Sequence, residues 1–344
     1  MRSSPLGGDL DEIIERSRDD LAALRGSRFF ISGGTGFVGK WLLEALLRAN
    51  DRLDLRLMAT VLTRSPEAFK ANAPRLAAAG EIAVVRGDAR RFTKEDGHYD
   101  VVIHAATASA EAQERDPAFI LETIVESGRN VLELAARSGQ IPVLFTSSGA
   151  IYGRMPDEME RFPESYTGAP DPLDRNSAYA EGKRVGELQC ALYARDGTFE
   201  PKIARLFAFV GPYLPLNANF AAGNFIRDAL KGGPIEISGD GTAIRSYLYA
   251  GDMVVWLLAV LLRGKPLRPY NVGSEIAVKV KDLADEVAAA TSPRPTVRVM
   301  RTRAGSDRYV PDTKRAREEL GLNERISRPE ALRRTLSFYR AIGL

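Results

Sequence analysis

The chain has 344 residues, of which 44% are hydrophobic and 27% charged, and its formal net charge is +3. This length is sufficient for one large domain or two ordinary ones with a sizeable buried core. The small net charge argues against a nucleic-acid partner, which requires a concentrated basic patch. A single cysteine excludes an intramolecular disulfide and a cysteine-rich zinc site, and two histidines argue against a histidine-based one, so we expect no metal.

The N-terminal segment is polar and acidic and lacks the apolar stretch of a signal peptide. The longest apolar run, residues 253–262, is too short to cross a bilayer. We therefore expect a protein of the reducing cytoplasm without a membrane partner.

The first 27 residues precede the first clear strand and predict an N-terminal helical extension. Asp9, followed three residues later by Glu12, is a plausible capping pair for a helix. The apolar residues beyond it form one stripe, which would pack against the rest of the protein: Ile13, Ile14, Leu21 and Leu24.

From residue 28 onward, short apolar segments alternate with segments of helical length. The predicted strands are 28–32, 55–62, 81–86, 101–105, 143–146 and 202–207, and the predicted helices are 38–48, 123–138 and 177–195. Such alternation predicts a doubly wound parallel sheet, and strands without polar alternation fit a sheet covered on both faces. We expect an α/β, Rossmann-type dinucleotide-binding domain over residues 28–205.

The pattern changes after residue 212, where Pro, Asn and Gly are frequent up to residue 224. The predicted helices are 225–231, 252–263, 281–290 and 328–341, and strands 235–237 and 246–249 flank a Gly239-Asp240-Gly241 turn typical of hairpins. We expect a smaller mixed lobe over residues 206–344, with a segment near 235–272 that returns to the first domain.

Three glycines, Gly33, Gly36 and Gly39, fall between a predicted strand and a predicted helix, as a dinucleotide site requires. The first permits a tight turn, the second lets the backbone approach a pyrophosphate, and the third lets the helix pack on the sheet. The first turn of the helix, with Phe37 and Val38, offers free N–H groups and a positive dipole end to phosphate.

The end of the second strand bears on the choice of cofactor. An acid at this place would bind the ribose 2′-hydroxyl of NAD, but the sequence reads Leu62-Thr63-Arg64-Ser65. Arg64 can meet a 2′-phosphate, which favours NADP over NAD, or it can stack on adenine or face solvent. Asp88, after the third strand, is either an acceptor for the adenine amine or a plain turn residue.

Tyr179 and Lys183 lie one turn apart on the same face of a predicted helix. A phenol with an ordinary pKa of ~10 is a poor base at neutral pH, and an adjacent ammonium is expected to lower this pKa. The phenol can then exchange a proton with a hydroxyl group while a hydride leaves or arrives. Ser148, at the end of the fifth strand, can hydrogen-bond the same oxygen.

These motifs resemble the extended short-chain dehydrogenase/reductase family of NAD(P)-dependent nucleotide-sugar epimerases and dehydratases. The matching segments follow the family order and are 32–39, 104–106, 146–153, 179–183, 205–212 and 239–252. The resemblance implies hydride transfer from C4 of a nucleoside-diphosphate sugar to the nicotinamide, which gives a 4-keto intermediate, with Ser148, Tyr179 and Lys183 moving the proton. It also implies a structural His104, with Ala105 and Ala106 lining the cofactor.

The resemblance further implies that Arg245 pairs with the substrate diphosphate, a role that suits a bidentate guanidinium. Asn224 and Arg303 are expected to assist from neighbouring segments. Ala208 departs from the family pattern, because many members carry an asparagine there that touches the diphosphate.

The asparagine missing at that position has two candidate substitutes nearby, Asn217 and Asn219. By resemblance we also expect a homodimer, formed through helices near 117–138 and 177–195.

Gly149 and Ala150 bear on the overall reaction. The matching place in 4,6-dehydratases reads Thr-Asp-Glu and supplies the acid and base for elimination, and uronate decarboxylases have a glutamate at the third position. Elimination or decarboxylation here would need another acid, for instance Glu181 or Glu164. The sequence therefore favours a 4-epimerase, which needs only the Ser/Tyr/Lys group.

Three alternatives stay open. A 4-ketoreductase using NADPH is favoured by Arg64, and a 4,6-dehydratase would need an unusual acid and base. A non-catalytic NADP-binding regulator would have no need of the Tyr179–Lys183 pair.

Overall fold

A seven-stranded sheet forms the centre of the computed structural model, which describes residues 4–92, 98–107, 116–194, 197–218, 220–300 and 307–344. In chain order the strands are β1 (Arg28–Ser32), β2 (Met58–Thr63), β3 (Ile82–Arg86), β4 (Val101–His104), β5 (Pro142–Ser148), β6 (Glu200–Leu206), β7 (Phe209–Val210), β8 (Ile235–Ile237), β9 (Ile244–Arg245), β10 (Leu248–Tyr249), β11 (Pro269–Val272), β12 (Val278–Lys279), β13 (Val297–Val299) and β14 (Arg308–Tyr309). The central sheet has the order β11-β6-β5-β4-β1-β2-β3, and all its strands are parallel.

The helices that the structure describes cover both faces of this sheet or belong to the C-terminal part. They are α1 (Gly7–Arg16), α2 (Arg18–Ala22), α3 (Phe37–Leu53), α4 (Pro66–Asn72), α5 (Pro74–Ala77), α6 (Pro117–Ser138), α7 (Ala178–Tyr193), α8 (Ala221–Leu230), α9 (Ala250–Arg263), α10 (Val280–Ala289), α11 (Lys314–Leu320) and α12 (Arg328–Ala341). The predicted Rossmann-type α/β fold is confirmed.

The parallel register brings the functional segments to one edge of the sheet. Ser32 at the end of β1 lies opposite His104 at the end of β4, and Ser148 at the end of β5 lies opposite Leu206. The strand order reverses between β1 and β4, and open α/β sheets bind their ligands in the crevice at such a switch point. The glycine-rich loop and Ser148 therefore border the same crevice.

The N-terminal helix begins earlier than predicted and is not capped by the expected pair. Helix α1 starts at Gly7 after Leu6, which provides no side-chain cap. The Asp9 carboxylate instead accepts hydrogen bonds from Tyr249 (2.8 Å) and Arg334 (2.5 Å). The capping prediction is wrong because partners distant in sequence occupy this carboxylate. The predicted apolar stripe of this segment is buried in the main core, as expected.

The predicted apolar run of residues 253–262 lies within α9, which is buried along nearly its whole length. No helix in the described ranges is long and apolar enough to cross a membrane. Burial of this segment inside the fold accounts for its hydrophobicity.

The strands on either side of the Gly239–Gly241 turn do not pair with each other. Strand β8 pairs with β13 and β10 pairs with β7, while β9 lies between β12 and β14. The hairpin suggested by the turn is therefore wrong. The turn instead contacts the start of α10, where the Lys281 N–H donates a hydrogen bond to the Gly241 carbonyl.

Candidate active site

The glycine-rich loop between β1 and α3 has no room for side chains at two of its positions. Gly33 has φ +76°, and a Cβ there would lie 2.4 Å from the Ala105 carbonyl. A Cβ on Gly39 would lie 2.4 Å from the Gly33 oxygen. Helix α3 starts at Phe37 without a side-chain cap, so the N–H groups of its first turn remain available to a phosphate.

A cavity of about 470 Å³ opens above this loop. Its wall contains most of the predicted cofactor-binding residues, namely Gly33, Gly36, Arg64, Asp88, Ala105 and Ala106. The tight loop, the free helix N-terminus and the size of the cavity together fit a dinucleotide. Sequence reasoning missed further residues of the wall, including Lys40, Pro215 and Phe220.

The two residues predicted at the adenine end both line this cavity. The Asp88 carboxylate is bound by the guanidinium of Arg90, with 2.7 Å between Nη2 and Oδ2. This hydrogen bond lowers the pKa of Asp88 below its ordinary value, against the effect of burial. Asp88 is thus an ionised carboxylate that can accept a hydrogen bond from a ligand while it remains paired with Arg90. Arg64 is exposed at the cavity wall.

The predicted catalytic side chains meet at the end of β5. Tyr179 and Lys183 project from α7, and the Lys183 Nζ lies 6.0 Å from the centroid of the Tyr179 ring. Lys183 is 2% exposed and donates to the Thr146 carbonyl at 2.8 Å. The Ser148 hydroxyl donates to the Tyr179 oxygen. The structure therefore brings all three residues together.

The protonation states of this group differ in part from the prediction. Burial raises the pKa of Tyr179, and the hydrogen bond from Ser148 offsets only part of this rise. Burial lowers the pKa of Lys183 to about 8, while Glu187 one turn further on acts in the opposite direction. The expected lowering of the phenol pKa by Lys183 is not found, because the ammonium points to the Thr146 carbonyl. At neutral pH the phenol keeps its proton.

A second phenol, Tyr309, completes this group and was missed by sequence reasoning. Its hydroxyl donates to the Leu206 carbonyl at 3.4 Å and lies close to Ser148 and Tyr179, and burial raises the pKa of this phenol. Strand β14 pairs with β9 and places Tyr309 opposite Arg245. No motif marks this tyrosine, since its position follows from strand pairing over a long stretch of chain.

Gly149, where a dehydratase would carry an acid, lies under an aromatic ring. A Cβ on Gly149 would be 2.5 Å from Cζ of Phe207, and the Phe207 ring packs on Tyr309 at 4.6 Å between centroids. The backbone N–H of Ala150 donates to the Ser148 oxygen. The structure thus leaves no space for a carboxylate at position 149 while Phe207 keeps its place.

The two substitute acids considered above are engaged elsewhere. Glu181 lies 3.5 Å from Arg184 and only two residues from Tyr179, so the two side chains leave the helix on different faces. Glu164 accepts from the Asn271 N–H at 3.0 Å, and burial raises its pKa. Neither is joined to the Tyr179–Ser148 hydrogen bond.

The predicted diphosphate-binding residues are only partly brought together. Arg245 forms an ion pair with Asp307 at 2.6 Å and lies opposite Tyr309, close to the predicted catalytic residues. Asn224 is on α8, where its amide oxygen accepts from Arg227. Asn217 is exposed on the preceding loop. Arg303 and Asn219 lie outside the described residues.

His104 has the structural role that was expected. It is fully buried at the end of β4, and its Nδ1 forms a 2.7 Å hydrogen bond with the Ser32 hydroxyl. Burial and the neighbouring Lys183 charge lower its pKa to about 3, so the imidazole is neutral at physiological pH.

Comparisons with known proteins identify the family of this chain. The model of the NAD-dependent epimerase/dehydratase family matches residues 29–273. UDP-glucuronic acid decarboxylase 3 of Arabidopsis thaliana is 30% identical over 310 residues, which cover 89% of this chain and 86% of the relative.

Solved structures share the fold. A dTDP-glucose 4,6-dehydratase of Streptomyces venezuelae with NAD bound has a TM-score of 0.77 and 24% identity, covering 91% of this chain and 97% of its own. A UDP-glucose 4-epimerase of Thermotoga maritima with UDP-glucose has a TM-score of 0.77 and 22% identity. The match covers 92% of this chain and 99% of the epimerase chain. The chain belongs to the NAD-dependent epimerase/dehydratase family and is an enzyme.

Proposed function

We propose that this enzyme is a nucleotide-sugar 4-epimerase that works through a transient 4-keto sugar. One observation carries the proposal. The Ser148, Tyr179 and Lys183 group is assembled, whereas position 149 is closed by the Phe207 ring and position 150 is an alanine. Oxidation and reduction at one sugar carbon need only the Ser148, Tyr179 and Lys183 side chains. Elimination needs an additional acid and base.

The residues divide this task. The cavity above the glycine-rich loop would hold the dinucleotide, which supplies a reversible hydride acceptor when bound. Because the phenol holds its proton in the free protein, Tyr179 would first release this proton to solvent; the phenolate would then take the proton of the C4 hydroxyl and later return it, and Ser148 donates a hydrogen bond to the phenol oxygen. Lys183 keeps a positive charge next to this proton path at neutral pH. Arg245 would exchange Asp307 for the substrate diphosphate.

A 4-ketoreductase is the second candidate, and two observations favour it. Arg64 is exposed at the cavity wall in the place where an acid would select NAD, which suits the 2′-phosphate of NADP. Tyr179 also holds its proton in the free protein, as a proton donor for reduction must. The decarboxylase relatives suggest a third reaction, for which position 150 lacks the expected glutamate.

The test is product analysis over a panel of UDP- and dTDP-sugars, including UDP-glucuronic acid, with and without added NADH or NADPH. Mass spectrometry and NMR should show an unchanged mass with an inverted C4 centre, without added reduced cofactor. Loss of water or of carbon dioxide would overturn the proposal in favour of a dehydratase or a decarboxylase. Dependence on NADPH with a gain of two hydrogens would show a ketoreductase, and binding of cofactor without any turnover would show a regulator.

The Tyr179→Phe variant is the control for this panel. It should still bind the cofactor but lose about 100-fold or more in turnover, since general acid–base catalysis contributes about this much. Full activity in this variant would contradict the mechanism for any of the candidate reactions.

We also propose a homodimer formed through α6 and α7. Leu188 and Leu192 are 57% and 55% exposed, and their spacing places them on one face of α7. Leu121 on α6 is 38% exposed. Light scattering should give the molar mass of two chains for the wild type. The Leu188→Glu variant should give a molar mass closer to that of one chain. A monomeric wild type would refute this proposal.

The division of the chain at residue 205 and the cytoplasmic location stay predictions. The return of β11 to the edge of the central sheet beside β6 supports the predicted returning segment.

A further inference from the structure

One lysine of the cofactor cavity, Lys40, has no counter-ion among the residues that the structure describes. Lys40 lies near the start of α3, its side chain is half-buried, and it lines the cavity together with Gly33 and Gly36. Within the ranges that the structure describes, no carboxylate lies within ion-pair distance of its ammonium, and burial alone lowers the pKa of this group. An ammonium removed from water without an anionic partner is costly.

The obvious partner of Lys40 is occupied. Glu44 lies one turn further along α3, at the spacing that normally allows an ion pair. Its carboxylate is fully buried, accepts a 2.8 Å hydrogen bond from the Tyr213 hydroxyl, and forms an ion pair with Arg75. Lys40 therefore does not serve to neutralise Glu44.

Tyr213 holds the lysine in place. The Lys40 Nζ lies 5.2 Å from the centroid of the Tyr213 ring. The ring is fixed by its hydrogen bond to Glu44 and by an edge contact with Phe338 at 5.1 Å, and the residue has φ +69°. Such an arrangement positions the cation at the cavity wall without cancelling its charge.

We propose that Lys40 binds the pyrophosphate of the dinucleotide. The cavity wall around Lys40 includes Gly33 and Gly36, where the free N–H groups of α3 offer their phosphate site. A second cation of the wall, Arg64, follows β2 and is suited to the ribose end. The glycine-rich loop offers a phosphate only the backbone N–H groups and the dipole of α3. Lys40 would add a full positive charge to this site.

The inference rests on dinucleotide binding and not on which sugar reaction follows. Its test is therefore the dissociation constant of NAD and of NADP, measured by calorimetry at low and moderate salt. Lys40→Met keeps the length of the side chain and removes its charge. Lys70→Met is the matched control, because Lys70 is exposed on α4 and is absent from the wall of the cavity.

We expect Lys40→Met to weaken NAD and NADP equally, by about 10- to 100-fold at low salt, as for a charged hydrogen bond. The loss should shrink as salt screens the wild-type attraction. Lys40→Arg should keep most of the affinity, and Lys70→Met should bind like the wild type. Unchanged affinity in Lys40→Met would overturn the proposal, and a loss confined to NADP would place Lys40 at the 2′-phosphate instead.

A second measurement uses the wild-type protein and does not depend on the folding of a variant. Acetic anhydride labels free lysine amines, and mass spectrometry reads the extent at each residue. Bound NAD should slow the labelling of Lys40 and leave that of Lys70 unchanged, and equal labelling with and without NAD would refute the proposal. Since neither experiment measures turnover, a protein that passes both but makes no epimer would contradict the proposed reaction alone.

Discussion

The ammonium of Lys183 is buried, and burial lowers its pKa from the ordinary 10.5 to about 8. A lysine with a lower pKa in the folded chain than in the unfolded chain destabilises the folded form as long as it is charged. This penalty is fully present below pH 8, decreases as the pH rises through about 8, and is gone near 10.5. The site thus keeps a cation at a cost to stability.

Replacing this residue should separate stability from activity. We expect Lys183→Met to lose activity yet to raise the free energy of unfolding at pH 7, by at most about 3 kcal/mol, because the pKa falls from 10.5 to about 8 and one pKa unit corresponds to about 1.4 kcal/mol. The gain over the wild type should shrink between pH 8 and pH 10, as urea unfolding at several pH values would show. A variant less stable than the wild type at pH 7 would mean that the hydrogen bond to Thr146 outweighs the cost of burial.

The residues of the site differ in how far the sequence reveals them. Tyr179 and Lys183 are four positions apart on one helix, so their proximity is a local property that spacing predicts. Tyr309 reaches Ser148 only because β14 pairs with β9, a relation that no local pattern encodes. The direction of the Lys183 side chain toward Thr146 depends on burial and could not be predicted either.

Helix α7 carries the proposed catalytic pair, Tyr179 and Lys183, and a glycine sets the distance of this helix from the sheet. A Cβ on Gly186 would lie 2.3 Å from Cζ of Phe145 in β5. On the side toward α6, a Cβ on Gly182 would lie 3.2 Å from the Ile124 side chain. Small residues at these points allow the helix to pack closely enough for Lys183 to reach the end of β5.

We expect Gly186→Ala to lower the free energy of unfolding by about 1–3 kcal/mol, the usual cost of overpacking. Alanine normally stabilises a helix by about 0.8–1 kcal/mol over glycine, so a net loss would identify the clash with Phe145. Gly80→Ala is the control, because no atom lies within 4 Å of its added Cβ. Thermal unfolding of both variants checks this, and equal melting temperatures would show that α7 can move outward freely.

Elements with a strong local pattern were predicted well. The bounds of β1 (Arg28–Ser32) and α12 (Arg328–Ala341) agree with the prediction. The two-residue strands β9 and β14 are too short to show a period, and their pairing depends on the whole lobe. This explains why the C-terminal strand partners were missed.

At the scale of the whole molecule, one buried ion pair connects the first helix to the C-terminal half. The Asp252 carboxylate, at 0% side-chain exposure, lies 2.5 Å from Arg16 and also accepts from the N–H groups of Arg325 and Ile326. The N-terminal extension is thus part of the core and not an appendage.

Arg16→Met should lower the free energy of unfolding by about 3–5 kcal/mol, because it leaves a buried carboxylate without its cation. Arg333→Met is the matched control, since Arg333 pairs with Glu330 at the surface and such pairs contribute about 1 kcal/mol or less. Urea unfolding measures both. If both variants lost the same small amount of stability, the backbone N–H groups of Arg325 and Ile326 would be sufficient to stabilise the Asp252 carboxylate.

The ring of Phe207 over Gly149 has a consequence for the evolutionary history open to this enzyme. An acid gained first at position 149 would meet Cζ of Phe207, and that ring in turn is held against Tyr309. We therefore expect the two positions to be coupled, so that an acid at residue 149 is tolerated better once residue 207 is smaller. Under the proposed 4-epimerase function, a gain of elimination chemistry through position 149 would thus need two changes, of which the one at residue 207 adds no acid.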